Sequence, residues 1–388
     1  MANRRTVLKG LAAGLVGAPF GAALMAAQTS GKGASAATNG LPLTIVNNTG
    51  RYSNAQISYA IVGTDLSTGK QAFATADGTL TPVSPSTGAS DMIIPLAGSG
   101  DTASAIPANM SGRIYFSVVD KLKFPVVTDG NGNAALQYPA GWVPNDPSFP
   151  IVHDFVEFTH NSAGMFCNTT MVDMFSIPLA IGLAGSASQN TGRLVPGGRE
   201  KIFSAIKANP DFAPLVVEDT RVIAPGHGID TGVFPATYFD SAINQVWDRY
   251  SSTAMTVNVG SAVRTGRVSG GLFSFDGGVA PFRKPSTADV LYCNGALAAP
   301  NDGVTGPVAA VLAAGFNRSV LLSSANQPGA DPATFYRDAV TNHYAKALHD
   351  NTQDGKAYGF AFDDVAGFAS YIQDSAPRSI TVELTPFY

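Results

Sequence analysis

A mainly β fold interrupted by an α/β insert is what this chain of 388 residues predicts. Three observations carry that expectation. Charged residues make up 13% of the chain, where about a quarter is usual. Gly (41) and Pro (25) are plentiful, as they are where many turns separate short strands. From about residue 190 the apolar spacing changes from strand-like runs to helical periodicity in four separate segments.

The opening stands apart from the fold. Asn3-Arg4-Arg5-Thr6-Val7-Leu8-Lys9 is a twin-arginine signature, followed by a small-residue apolar run from Gly10 to Ala27 and a cleavage pattern at Ala34-Ser35-Ala36. The run is too weakly hydrophobic and too rich in Gly and Ala for a membrane anchor. Residues 1–36 are therefore expected to be an export signal, leading to a secreted or periplasmic protein that crosses already folded and keeps no stable membrane association.

After the signal, Leu43-Thr44-Ile45-Val46-Asn47-Asn48-Thr49 reads as an edge-forming first strand closed by an Asn-rich turn. Residues 56–62 and Gly112-Arg113-Ile114-Tyr115-Phe116-Ser117-Val118-Val119 read as further strands, consistent with a β-sandwich or barrel. Helical spacing marks residues 200–207, 235–250, 308–316 and 331–350, the last with Asp331 as N-cap and Pro332 at the first helical position. Strand-like runs at 215–217, 255–259 and 318–322 lie between them, and β character returns at Ser379–Leu384. The expected division is a β domain over residues 37–189 together with 351–388, and a mixed α/β domain over 190–350 forming the other wall of an open groove.

Removing residues 1–36 leaves 20 basic against 28 acidic residues, a formal charge of −8. No basic patch is then available to release counterions, so nucleic acid is excluded as a partner, whereas a neutral polysaccharide suits this balance. Two cysteines, Cys167 and Cys293, do not make a disulfide scaffold; pairing and burial as free thiols both remain open. The five histidines (His153, His160, His227, His343, His349) show no metal-ligand spacing, so neither a metal nor another cofactor is expected. No G-x-S-x-G or phosphate-cradling glycine loop occurs.

The chemistry gathers in Phe155-Val156-Glu157-Phe158-Thr159-His160-Asn161 and the following Asn168-Thr169-Thr170-Met171-Val172-Asp173-Met174-Phe175. Two carboxylates, 16 residues apart, sit among apolar, hydroxyl and amide side chains; ionised carboxylates are rarely placed so without a partner or a purpose. Alternation puts Glu157, Thr159 and Asn161 on one strand face and Val156, Phe158 and His160 on the other. If the apolar face is core, Glu157 and its polar neighbours point into a groove. Residues 162–168, with Gly164, can return the chain so that Asp173 faces Glu157. Surface-strand and turn roles for the two acids are the competing account from the residues alone.

These two elements resemble glycoside hydrolase family 64, bacterial β-1,3-glucanases of the thaumatin-like superfamily. Thr44-Ile45-Val46-Asn47-Asn48, Ile243-Asn244-Gln245-Val246-Trp247, Asn342-His343-Tyr344-Ala345-Lys346-Ala347-Leu348-His349 and Tyr358-Gly359-Phe360-Ala361-Phe362-Asp363-Asp364-Val365 extend the likeness over most of the chain. The resemblance implies an inverting endo-hydrolase of laminarin- or curdlan-like glucan releasing short laminari-oligosaccharides, with Glu157 as general acid and Asp173 as general base. It further implies sugar contacts at Thr159, Asn161 and Thr170, a supporting role at Asp364, and a monomer. Phe166 stands where the family usually has tryptophan; a phenyl ring still stacks on a sugar but offers less area. A non-catalytic thaumatin-like β-1,3-glucan-binding protein is the alternative, as is the same mechanism acting on another glycan.

Overall fold

Residues 40–388 are described in a computed structural model; the export signal expected over residues 1–36 lies outside them. One five-stranded sheet runs in the order Ser188–Thr191, Leu179–Ala184, Ser379–Leu384, Gly40–Asn47, Thr102–Pro107. A larger sheet runs Tyr371–Asp374, Gly164–Asn168, Val152–Asn161, Met110–Val118, Ile57–Asp65, Gln71–Ala74, Leu80–Pro82, with Ile94–Pro95 added beside Ile57–Asp65. Leu43, Ile45, Ile181 and Val382 from the first sheet share one apolar cluster with Ile61, Ile114, Val156, Phe158 and Cys167 from the second. Burying each such side chain contributes about 1.5–3 kcal/mol. The sandwich expected from the alternating runs is therefore present.

The strand expected at the sheet edge is not an edge. Gly40–Asn47 lies between two partners, pairing antiparallel with Thr102–Pro107 and parallel with Ser379–Leu384. Leu41, Leu43 and Ile45 are all buried, in the cluster shared with the second sheet.

The second half packs Gly198–Lys207, Asp240–Ser252, Thr305–Asn317 and His343–Asp350 around a separate core, beside a five-stranded sheet whose longest strand is Val263–Ser269. Ile243, Val246 and Trp247 bury one face of their helix in this core. Phe360, Phe362 and Val365 join the same cluster.

Two expectations fail here. Residues 318–322 are not a strand: Ser319 takes a left-handed φ of 54° just after the helix ends at Asn317, and Val320 and Leu321 are buried in the second core without pairing to a strand. Residues 331–350 are not one helix. Asp331 caps only the 3-10 turn Pro332–Thr334, and helix resumes at His343, where Asn342 Oδ1 accepts from the Ala345 N–H at 3.0 Å. The two cysteines do not pair with each other: Cys167 is buried inside the sandwich and Cys293 in the helical core.

Candidate active site

The Val152–Asn161 strand presents its two faces as alternation requires. Val156 and Phe158 enter the sandwich core, while Glu157 and Thr159 emerge on the opposite face. Across that face the neighbours are set by register. Glu157 stands between Arg113 and Asn168, Thr159 between Ser111 and Phe166, and the row continues to Tyr371 and Gln373. Ser111 and Thr159 hydroxyls meet at 2.8 Å. The hairpin that brings Phe166 alongside Thr159 is shaped by the Asn161 side-chain oxygen, which accepts from the Ala163 N–H at 2.8 Å. Gly164 completes it with φ of 127°; a Cβ there would meet the Asp374 carbonyl oxygen at 2.1 Å, so only glycine lets the next strand pair so closely.

Asp173 reaches the same place from a segment tied down on several sides. The Thr169 N–H donates to the Ser370 carbonyl at 3.2 Å, Met171 N–H to the Tyr358 carbonyl at 2.8 Å, and Ala224 N–H to the Asp173 carbonyl at 3.0 Å. The buried Tyr344 hydroxyl donates to the Met171 carbonyl at 2.6 Å, which fixes the backbone two residues before the acid. Asp154 anchors the following residues to the Glu157 strand itself, accepting from the Ser176 and Ile177 N–H groups. Burial pushes the Asp154 carboxyl up to about 7, against these donors and Arg221.

Arg113 stands between the two acids. Its Nε and Nη2 each lie 3.1 Å from Glu157 Oε1, and Nη2 lies 3.8 Å from Asp173 Oδ2. Contacts of 3.1 and 3.8 Å to one nitrogen bound the separation of those two oxygens at about 6.9 Å. The guanidinium rests on the Phe155 ring at 4.1 Å and donates to the Tyr115 hydroxyl at 3.1 Å. Burial pushes that hydroxyl up to about 12 in spite of Arg113, so it stays neutral and can accept. Side-chain exposures of 21% for Arg113 and 32% for Glu157 leave their pair screened by water, so it contributes little to stability, about 0–1 kcal/mol. Its importance is placement.

On the far side of Asp173, His227 Nε2 lies 2.9 Å from Oδ1. Trp142 stacks on the imidazole with centroids 4.5 Å apart and an interplanar angle of 16°. Gly141 sets that approach: a Cβ there would meet Met174 Sδ at 2.5 Å and Arg221 Nη1 at 2.8 Å.

The remaining expected positions divide. Phe166 is half-buried on the Glu157 face. Thr170 is 6% exposed, inside the tied segment. Asp364 lies near enough to Tyr358 and Tyr371 for its charge, after burial, to raise both hydroxyls. Burial pushes the Asp364 carboxyl up to about 6. Asp363, by contrast, is fully buried and bound to Arg318 and His349, so it lines no groove. Arg113 and His227 were not legible as site residues. Their partners lie 44 and 54 residues away in sequence, and neither carries a local motif.

A sandwich face bearing two acids across one guanidinium, rimmed by hydroxyl, amide and aromatic side chains, is the apparatus of a carbohydrate-active protein. The profile of the β-1,3-glucanases, glycoside hydrolase family 64, matches residues 39–384, and the chain belongs to that family. It is 38% identical over 298 residues to glucan endo-1,3-beta-glucosidases of Cellulosimicrobium cellulans and of Arthrobacter sp. (strain YCWD3), covering 72% of this chain and 53% of theirs. The chain thus spans about half the length of the curated relatives it matches. A laminaripentaose-producing β-1,3-glucanase solved with laminaritetraose superposes with a TM-score of 0.83 at 39% identity, covering 90% of this chain and 99% of that one. A β-1,3-glucanase domain from Clostridium beijerinckii gives 0.78 at 29% identity, covering 89% and 98%.

Proposed function

We propose that the protein is a secreted, monomeric endo-hydrolase of β-1,3-glucan that works with inversion, Glu157 being the general acid and Asp173 the general base. The observation that carries this is the pair of acids held against Arg113 on a polar sheet face. The facing oxygens stand at most about 6.9 Å apart, which keeps both acids within reach of one glycosidic bond; the choice of inversion rests on the family likeness, not on that bound. Asp173 takes a proton from a water as its oxygen bonds to the anomeric carbon. The glycosidic C–O bond breaks, and the leaving oxygen receives the proton of Glu157. The β domain is thaumatin-like in this proposal, and the segment 190–350 forms the second wall of the groove.

The test is incubation of purified protein with laminarin, with chromatography of the products and proton NMR of the first anomer released. Short laminari-oligosaccharides appearing as the α-anomer are expected. Binding without any product would convert the protein into a glucan-binding module, and a β-anomer would remove the inverting assignment.

The aromatic position offers a finer test. Phe166→Trp should lower KM for soluble laminari-oligosaccharides and Phe166→Ala should raise it, each by about 1 kcal/mol of binding. The value of kcat should stay nearly constant, because stacking on a sugar away from the reacting bond acts equally on ground and transition states. Unchanged KM in both variants would assign Phe166 to packing.

A further inference from the structure

Three side chains run outward from Asp173 in series. His227 Nε2 meets Asp173 Oδ1 at 2.9 Å, His227 Nδ1 meets the Tyr292 hydroxyl at 3.2 Å, and that hydroxyl donates to Asp230 Oδ2. The Asp173 side chain is 10% exposed and that of Asp230 63%, so the series leads from a covered carboxylate to water. They come from three separate elements: Asp173 from the tied segment, His227 and Asp230 from Pro225–Asp230, and Tyr292 from Thr287–Tyr292. Trp142 covers one ring face, and the remaining charges nearby are Arg113, 3.8 Å from Asp173 Oδ2, and Glu157 beyond it.

The protons in this series can be counted. An ionised carboxylate only accepts, and a tyrosine hydroxyl has a single proton to give. Tyr292 gives its proton to Asp230. Asp173 Oδ1 accepts, so the proton of its link is carried by His227 Nε2.

Resting on the assignment of Asp173 as base, we infer that His227 is its positioning residue. Braced through Nδ1 by Tyr292, it donates from Nε2 to Oδ1 and leaves Oδ2, the oxygen on the Arg113 side, as the one that takes the proton of the attacking water. A carboxylate so fixed cannot turn its occupied oxygen toward the substrate. That matters because a misplacement of about 1 Å can cost on the order of 10²-fold in rate.

The experiment is steady-state kinetics on soluble laminari-oligosaccharides, with circular dichroism to confirm folding, and ¹⁵N NMR of histidine-labelled protein. His227→Leu should lower kcat on the order of 10²-fold with little change in KM, while His227→Gln, whose amide N–H can reach Oδ1, should stay within about tenfold of wild type. Asp230→Asn, an exposed change with no folding cost, and Tyr292→Phe should each lower kcat by roughly three- to tenfold. The His227 signals, assigned by their loss in His227→Gln, should show Nε2 carrying the hydrogen of the bond to Asp173. A bare Nε2, a glutamine variant no better than leucine, or wild-type kcat in both Asp230→Asn and Tyr292→Phe overturns the inference. An inactive wild-type protein would instead overturn the hydrolase assignment, and the NMR signature would still decide whether the hydrogen-bonded series exists.

Discussion

Replacing Glu157 by glutamine, or Asp173 by asparagine, should abolish most turnover of laminarin while the fold survives. Each change keeps the size of the side chain and removes the one property the chemistry needs, the acid's proton or the base's lone pair. General acid or base assistance supplies roughly 10²–10⁴-fold, and groups that act together lose more than either would alone. Glu157 is half-exposed, and its neutral isostere still accepts from Arg113, so folding should be nearly unaffected. Asp173 sits between Arg113 and His227 and loses two charged contacts, so a modest loss of stability is expected there. Initial rates with reducing-sugar detection, alongside thermal melts, separate the two effects. Near wild-type rates in both variants would show that these residues are not the acid and base.

The largest stability effect should come from Asp363, which is fully buried. Its Oδ1 accepts from Arg318 Nη2 at 2.9 Å, and its Oδ2 from His349 Nε2 at 2.9 Å and the Gly359 N–H at 2.9 Å. Asp363→Ala would leave two covered cations without a counter-charge, at a cost of about 3–5 kcal/mol. His349 Nδ1 also lies 2.7 Å from the Gly355 carbonyl, so both ring nitrogens face acceptors, which favours the imidazolium form. Burial opposes that charge, but Asp363 outweighs it and raises the pKa above the ordinary 6.5. The stabilisation is therefore complete below about 6.5 and is lost as pH rises through the folded-state value. Burial likewise works against the charge on Asp363, but His349 and Arg318 hold its carboxyl below the ordinary 3.8. Its share is present above about 3.8 and fades as pH falls through the folded-state value. Melting temperatures across pH should thus decline on the alkaline side, and His349→Gln should flatten that decline. An alkaline slope unchanged in His349→Gln would remove His349 from this account.

Elements were legible in the sequence where local pattern and tertiary burial agree. Ser379–Leu384 and Met255–Asn258 alternate or bunch apolar residues as strands do, and each pairs where its pattern says it should. The run at 318–322 misled because its apolar residues are buried without pairing to a strand, an environment that a short run cannot distinguish from a sheet. The helix expected over 331–350 failed because Asp331 and Pro332 signal a start whether or not the turn continues. Tyr336 then takes a left-handed φ of 57°, which no helix accommodates. At the candidate site, the sheet face carrying Glu157 and Thr159 followed from period-2 alternation alone. Arg113, His227, Tyr292 and Asp230 did not, since what joins them to the acids is register and loop placement across distant segments.

The parallel pairing of Gly40–Asn47 with Ser379–Leu384 has a consequence for biosynthesis. The Asn48 side chain donates to Glu383 across 335 residues of chain, and the strand before it has its central neighbour only in that same late segment. During synthesis the early strand therefore waits with one side open until residues 379–384 have left the ribosome. Contacts of such long sequence separation slow folding and expose an unpaired flank in the interval. Deleting residues 379–384 would remove the middle of a sheet rather than trim its margin, leaving Leu179–Ala184 and Gly40–Asn47 facing a gap one strand wide.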